Sequence, residues 1–413
     1  MRGLWVGVLW GLGCASAKGA GAGRLGLPPT AAAPRPTDSL QTLRQLQKNL
    51  HRLCRFQGRG HGSGGDKCAL RYLARRLRLI GYHPKTDTFP ITVWLFDEVK
   101  VWLQDSARTW YRLREGIDFL PTPGCPSVQG EWEIDSLPIP HKAWRLASGI
   151  SRRQAYAQGT EGSVSLLLFP QAKLTAALQP YPDPLPGLSI RAEKLATAQK
   201  VRVRIRAHLY QGKAHNLTVH LRGRSSDSAW VLGAHYDHIG RMGRAIFWGA
   251  NDNASGTAFM LNLASHLYKL RDRLPYDVWM VFFAGEESGL LGSSYWVQHA
   301  PYALARIRGM LNFDLMGFGE KGVAVVGASD QPALWQRIDS IRRQIGWEPP
   351  LLLRPNAPNS DHYPFRMAGV PALFFYLQGG PGFYHDPYDR PETITWHSAY
   401  SMQRWVIETL CSP

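Results

Sequence analysis

Carboxylates are the scarce charge in this chain. Against 48 Lys and Arg stand only 31 Asp and Glu over 413 residues, a formal charge of +17. An excess of that size suits a phosphate-rich envelope, acidic substrates or nucleic acid. No RNA-binding aromatic motif, zinc finger or helix-turn-helix pattern accompanies it, so no nucleic-acid partner is expected. Cysteine is scarce too. The five present include no C-x-x-C, which argues against a thiolate metal site. Four of them, Cys54, Cys68, Cys125 and Cys411, lie beyond the N-terminal segment. An oxidising compartment would permit them two disulfides, with Cys54 and Cys68, which flank a glycine-rich loop, as the favoured pair. No G-x-S-x-G occurs, which sets aside one route to a serine hydrolase. Ser360-Asp361-His362 contains triad residue types, but neighbours in sequence do not make a triad. No segment approaches the roughly 20 apolar residues of a transmembrane helix, and no internal repeat is found.

What is present is the composition of a globular protein, 44% hydrophobic and 19% charged, in a chain long enough to bury a substantial core. The first residues read as an export signal. Arg2 is followed by the apolar stretch Leu4 to Leu12 and by Ala15-Ser16-Ala17, an A-x-A cleavage pattern. The expected location is therefore periplasmic or extracellular. A competing reading makes Cys14 a lipid-modified cysteine with peripheral envelope association, but Gly11 fits poorly where a larger aliphatic is expected. The organisation expected is a signal peptide at 1–17, an Ala/Gly/Pro-rich linker at 18–37, a leading part of the main domain at 38–88, an inserted β-rich domain at 89–206 and the main domain at 207–413.

Asp38 to Leu53 is helical by its spacing of Leu40, Leu43, Leu46 and Leu50. A second helix, Lys67 to Ile80, stops at Gly81 with Pro84 beyond; its Arg71, Arg75 and Arg78 form a solvated side. Between them, Gly60-His61-Gly62-Ser63-Gly64-Gly65 formally matches G-x-G-x-x-G. It follows a helix rather than a strand, so it reads as a flexible loop. From Phe89 to Arg206, short β-type runs such as Ile91 to Leu95 and Ser163 to Phe169 alternate with Pro- and Gly-rich turns. From Asn216 on, strands alternate with helices: Trp230 to Ala234, the helix Ala254 to Leu270, Val278 to Ala284, Arg308 to Phe313 and Pro371 to Leu377. This pattern predicts an α/β fold with a mostly parallel central sheet and helices on both faces. Asn216-Leu217-Thr218 also has the pattern of a glycosylation acceptor.

Ligands bind beyond the carboxyl ends of strands in open α/β sheets, and polar residues collect at those positions here. His235 and Asp237 follow one strand. Asp252 opens the next helix, Glu286 and Glu287 follow another strand, Asp314 ends a third, and His385 lies in the loop after Leu377. Taken singly, each has an ordinary explanation, such as a helix N-cap for Asp252 or a turn residue for Asp314. Together they bring two imidazoles and several carboxylates to one rim. That donor set suits zinc, and a shared carboxylate would make a two-ion site. Without cations, the mutual repulsion of so many carboxylates would be costly.

These stretches also carry a resemblance. Gly233 to Asp237, Gly249 to Gly256, Phe283 to Ser293, Leu311 to Asp314 and Tyr384-His385 resemble, in order, the motifs of the zinc aminopeptidase family. That family also includes glutamate carboxypeptidases, glutaminyl cyclases and transferrin receptors. Leu43 to Tyr82 resembles its leading helices more loosely, and 89–206 resembles its inserted protease-associated domain weakly. The resemblance implies two Zn2+ ions, one held by His235 and Asp314 and the other by Glu287 and His385, with Asp252 bridging and a cis peptide after it. It implies Asp237 as the carboxylate that orients His235, Glu286 as the general base, and a peptide as substrate. The free α-amine of a peptide would sit near one zinc, which makes an aminopeptidase the first expectation. A carboxypeptidase would need an arginine for the terminal carboxylate, for which Arg354 and Arg366 are candidates. A glutaminyl cyclase of this fold works with one zinc, whereas both half-sites are retained here. A receptor-like or envelope-binding protein is the non-enzymatic alternative.

Overall fold

The computed structural model describes residues 36–135, 155–158 and 166–413. The export signal, Cys14 and the linker up to residue 35 lie outside them. The chain enters through helix α1 (Pro36–Cys54), which buries Leu46, Leu50 and Leu53 at helical spacing and leaves Leu40 exposed. Leu40 is therefore no part of the apolar side expected for it. Helix α2 (Gly65–Ile80) buries Ala69, Leu73 and Leu77 and turns Arg71, Arg75 and Arg78 to solvent. It ends at Gly81, whose φ of +119° puts its N–H within 3.0 Å of the Arg78 carbonyl. A side chain is disfavoured in that conformation, so glycine stops the helix there.

Strand β1 (Lys85–Asp105) leads into the inserted segment and β2 (Ala198–Leu221) returns from it. The rest of the main domain follows as β3 (Ser225–His235), α3 (Gly256–Lys269), β4 (Tyr276–Phe283), α4 (Leu291–Gln298), β5 (Ile307–Phe313), β6 (Gly322–Val326), α5 (Pro332–Gln344), β7 (Leu351–Arg354), α6 (His362–Met367), β8 (Ala372–Gln378) and α7 (Ala399–Cys411). The strands line up in the order β7-β6-β8-β5-β3-β4-β2. β8, β5, β3 and β4 are parallel neighbours, as are β7 and β6, while β6 and β2 join antiparallel. This is the mostly parallel α/β sheet expected from the sequence.

The continuous apolar runs of β3 and β4 follow from burial on both faces. Alternate residues serve different cores. Trp230, Leu232, Ala234, Val278, Met280 and Phe282 join the larger cluster with α1, α2, α3 and α7. Val231, Val281 and Phe283 pack on the other face with Trp296 of α4 and Phe365 of α6. Fully burying side chains of this size contributes roughly 1.5–3 kcal/mol each, which holds the sheet rigidly in place beneath its loops.

β1 and β2 pair antiparallel from Lys85↔Thr218 to Asp105↔Ala198, with irregularities at Phe96/Glu98 and Gln104/Asp105. The edges expected at 88/89 and 206/207 thus fall inside two unbroken strands. Beyond them the sheet continues through Val128–Asp135, Ala155–Gln158, Leu166–Gln171, Gly187–Arg191 and Phe119–Pro121, over a separate core that includes Phe119, Trp132, Leu166 and Val203.

Two sequence readings fail against this packing. Cys54, Cys68, Cys125 and Cys411 are free thiols, with Cys54 buried in the α1 core and Cys68 only half-buried beside Arg71. Asn216 is fully buried; its amide donates to the Gly292 carbonyl at 2.8 Å and accepts from the Ala284 N–H at 3.1 Å. An asparagine held that way has no room for a glycan.

Candidate metal centre

Four parallel strands, β4, β3, β5 and β8, end on one rim, and each hands its first polar residues to the same cleft. His235 closes β3, Glu286 and Glu287 follow β4 by a short loop, Asp314 follows β5, and the segment after β8 carries His385. Asp252 comes from the turn before α3. The backbone there is specially shaped: the Asp252–Asn253 peptide is cis, as the resemblance implies. The Asn253 side chain donates to the Phe313 carbonyl at 3.0 Å and accepts the Gly256 N–H at 2.8 Å, tying this turn to the end of β5.

The site residues assemble into two groups that share Asp252. One comprises His235, Asp252 and Asp314; the other comprises His238, Asp252, Glu287 and His385. His235 Nε2 lies 3.5 Å from Asp252 Oδ1 and 3.4 Å from Asp314 Oδ2. His385 Nε2 lies 3.1 Å from both Asp252 Oδ2 and Glu287 Oε2. The two oxygens of Asp252 therefore face different groups, as a bridging carboxylate must. Glu286 Oε2 stands 4.0 Å from His235 Nε2, beside the first group and outside both.

These residues fit a pair of divalent ions. His235 Nε2 and Asp314 Oδ1 are buried without hydrogen-bond partners among the described residues. Buried polar atoms are nearly always partnered, and imidazole nitrogen with carboxylate oxygen is a donor set suited to zinc. The electrostatics agree. Burial alone would depress the His235 imidazole, but the carboxylates of Glu286 and Asp314 outweigh it and hold its pKa well above the ordinary value. For His385, Glu287 and Asp252 have the same effect. Burial, reinforced by Glu287 and Asp361, pushes Glu286 well above the usual carboxyl range, against the pull of His235. A cleft that stabilises protons so strongly also stabilises metal cations.

Asp237 does not bind a group itself; it stands behind His235. Its carboxylate lies 3.7 Å from His235 Nδ1, its own carbonyl lies at 3.2 Å, and it accepts the Glu286 N–H at 3.4 Å. Although burial opposes ionisation, the neighbouring imidazoles of His235 and His61 keep this carboxyl below the usual range. On the other group, His385 Nδ1 is 2.9 Å from the carbonyl of Ala176, and the Ala176 N–H donates to the His385 carbonyl at 3.0 Å. The inserted segment thus reaches back and orients a candidate metal ligand.

Several participants were not evident from sequence. His238 places Nδ1 2.6 Å from Glu287 Oε1; it stands three residues after His235, and that spacing was its only signal. Asp389 accepts the N–H groups of Asn251 and Asp252 at 2.8 and 3.0 Å, bracing the shared ligand. Ser360 Oγ donates to Asp314 Oδ2 at 3.0 Å and accepts from Asn312 at 2.8 Å, while Asp361 and His362 are fully buried. That stretch supports the metal centre rather than forming a triad. The glycine-rich loop is the clearest correction. Arg59 and His61 are buried, and Arg59 donates to the carbonyls of Tyr236, Trp248, Gly249 and Asp252. A Cβ on Gly60 would lie 2.6 Å from Gly240 Cα. At Gly58, Gly60 and Gly65 backbone meets backbone, which is why glycine stands at those positions. Of the two arginines considered for a terminal carboxylate, Arg354 donates to Tyr376 Oη at 3.0 Å on the edge strand β7, and Arg366 stands beside His362.

Residues 216–410 match the sequence profile of peptidase family M28. Over 175 residues, 39% of this chain and 36% of that protein, the sequence is 33% identical to aminopeptidase YwaD of Bacillus subtilis. Over 158 residues, 38% of this chain and 34% of the other, it is 31% identical to leupeptin-inactivating enzyme 1 of Streptomyces exfoliatus. The chain thus spans about a third of the length of these curated relatives. In fold, it superimposes on a zinc aminopeptidase from Bacillus subtilis with a TM-score of 0.65, at 19% identity, covering 89% of this chain and 93% of that one. A glutaminyl cyclase from Porphyromonas gingivalis superimposes at 0.52, with 15% identity and 89% and 96% coverage.

Proposed function

We propose, from the match of residues 216–410 to peptidase family M28, that the protein is a two-zinc aminopeptidase that removes residues from the free amino end of peptides. The observation that supports this reading best is the pair of His/carboxylate groups sharing Asp252, with Glu286 beside one of them and outside both.

In this reading His235 and Asp314 hold one ion, Glu287 and His385 the other, and Asp252 both. Bound there, the ions would acidify a water and polarise the scissile carbonyl. The chain's own residues do the rest. Glu286 is buried with a raised affinity for protons, so it is suited to take a proton at Oε2 and deliver it to the departing amine, a contribution of about 10²–10⁴-fold for such groups. Asp237 fixes the orientation of His235 and anchors the Glu286 backbone, so that base and ligand keep a constant separation. Ser360 and Asp389 hold Asp314 and the Asp252 turn from behind. The Tyr384 ring stacks on His385 at 3.9 Å, limiting the motion of that imidazole.

We also propose export, on the strength of the 1–17 signal pattern, with periplasm or exterior as the place of action. No helix among the described residues is long and apolar enough to cross a membrane.

The test is hydrolysis of free-amine aminoacyl anilides beside their N-acetylated twins, with chelator and then with zinc restored. Cleavage of the free-amine set alone, lost with chelator and regained with zinc, is the expected result. If protein carrying two metals cleaves neither set, the aminopeptidase reading fails, and C-terminal peptides and N-terminal glutaminyl substrates become the next trials.

A further inference from the structure

The glycine-rich loop between α1 and α2 carries a buried histidine that the proposed reaction does not use. His61 is 2% exposed and faces a carboxylate from each ring nitrogen. Its Nδ1 lies 3.0 Å from Asp66 Oδ2, in the first turn of α2, and its Nε2 lies 3.5 Å from Asp237 Oδ2. The other oxygen of Asp237 faces His235 Nδ1 at 3.7 Å. Asp66, His61, Asp237 and His235 therefore form one buried line that ends on a candidate metal ligand. A neutral imidazole has one N–H, so only the doubly protonated ring can donate toward both carboxylates.

The loop is built to hold this ring still. Arg59, two residues earlier, is tied to the Tyr236 carbonyl within the His235–Asp237 stretch and to those of Gly249 and Asp252 in the Asp252 turn. Gly58 and Gly60 pack so closely that a Cβ would fall 2.2 Å from the Phe247 carbonyl oxygen and 2.6 Å from Gly240 Cα, respectively.

We propose that His61, braced by Asp66, is a positioning residue that sets the orientation of Asp237 and through it the zinc affinity of the His235 group. This rests on the two-zinc reading above. Groups that orient a metal-ligating histidine from behind change affinity by about 10–100-fold when removed. The effect should fall on one ion only, because the line touches the His235 group and not Glu287 or His385.

The experiment is calorimetric titration of Zn2+ into the chelator-stripped full chain, for wild type, His61→Gln and Asp66→Asn, alongside urea unfolding of each in metal-free form. The two variants cover each other: Asp66→Asn keeps the shape of the outer residue should His61→Gln fold poorly. Two zinc sites in the wild type, with one weakened about 10–100-fold in the variants and the other unchanged, is the expected result. Wild-type affinity at both sites in either folded variant overturns the inference, as does equal weakening of both sites with a lowered metal-free midpoint, which marks a general structural role. If the wild type binds no zinc, the two-zinc reading itself falls, and this inference with it.

Discussion

Arg59→Met removes one side chain and should affect both stability and the metal site. Arg59 is fully buried and donates three short hydrogen bonds, at 2.8 Å to the carbonyls of Tyr236 and Trp248 and 2.7 Å to that of Gly249, and a longer one of 3.3 Å to Asp252. Methionine fills much of the same volume, so the change is chiefly polar. Leaving a buried acceptor without its donor costs about 1–3 kcal/mol. Taking the low end for each of the three short bonds gives about 3 kcal/mol. The carbonyls left behind are neutral, so no unpaired buried charge adds to this, and about 2–4 kcal/mol is the expected range. Relief of the guanidinium's own desolvation keeps the loss within that range. The freed carbonyls belong to the His235–Asp237 stretch and the Asp252 turn, so zinc affinity should fall together with stability. Urea unfolding of the metal-free protein and zinc titration of the folded variant check both parts. A loss below about 1 kcal/mol with unchanged zinc binding would refute the view that this residue clamps the backbone of the site.

Other substitutions probe single groups. Glu286→Gln should retain two zinc ions by elemental analysis yet lose about 10²–10⁴-fold in turnover; wild-type-like turnover would remove Glu286 from the base role. His238→Ala should weaken the Glu287–His385 group and leave the other zinc in place, and competitive chelation that finds both ions equally held would exclude His238 from the centre. Phe313→Ala, which takes a ring from between Phe259 and Phe375, should cost about 3–5 kcal/mol in unfolding free energy. pH adds one more. Burial alone would lower the His61 pKa, but the facing carboxylates of Asp237 and Asp66 raise it from 6.5 to about 9. A raised pKa contributes stability that is full below pH 6.5 and is lost as pH climbs through about 9. Metal-free wild type should therefore lose stability across that window relative to His61→Gln; parallel curves would contradict the assignment.

How much of this could be read from the sequence depended on the range of the contact involved. The main sheet was legible because Ala229 to Ala234 of β3 and Val278 to Phe283 of β4 are continuous apolar runs, as a strand covered on both faces requires, and because the candidate ligands sit at strand ends that share a direction. His235, Asp252, Glu287, Asp314 and His385 all reach the same cleft. The partners behind them were hidden. Arg59 meets Tyr236 and Gly249 across 177 and 190 residues, and no local pattern encodes that meeting. Glycine spacing in the same loop suggested mobility, whereas it reflects close contact with the 240–247 segment. Asn216 has the short pattern of an acceptor site, but its burial is set by Ala284 and Gly292, which follow much later in the chain. The link from Ala176 to His385 depends on how the inserted segment folds back, and its turn-rich sequence left that open.

The long strands β1 and β2 make the inserted segment a stiff beam rather than a bead on a string. Their backbone ladder is anchored at one end beside β4, where Thr218 opposes Val281, and carries the distal lobe at the other. Spin labels at the two ends should accordingly show a single narrow distance distribution. A graft that exchanged the distal lobe would have to respect the alternation of the two strands residue for residue, since a slip of one turns every later side chain to the opposite face. Length changes belong at the far tip, where they leave the register near the cleft untouched.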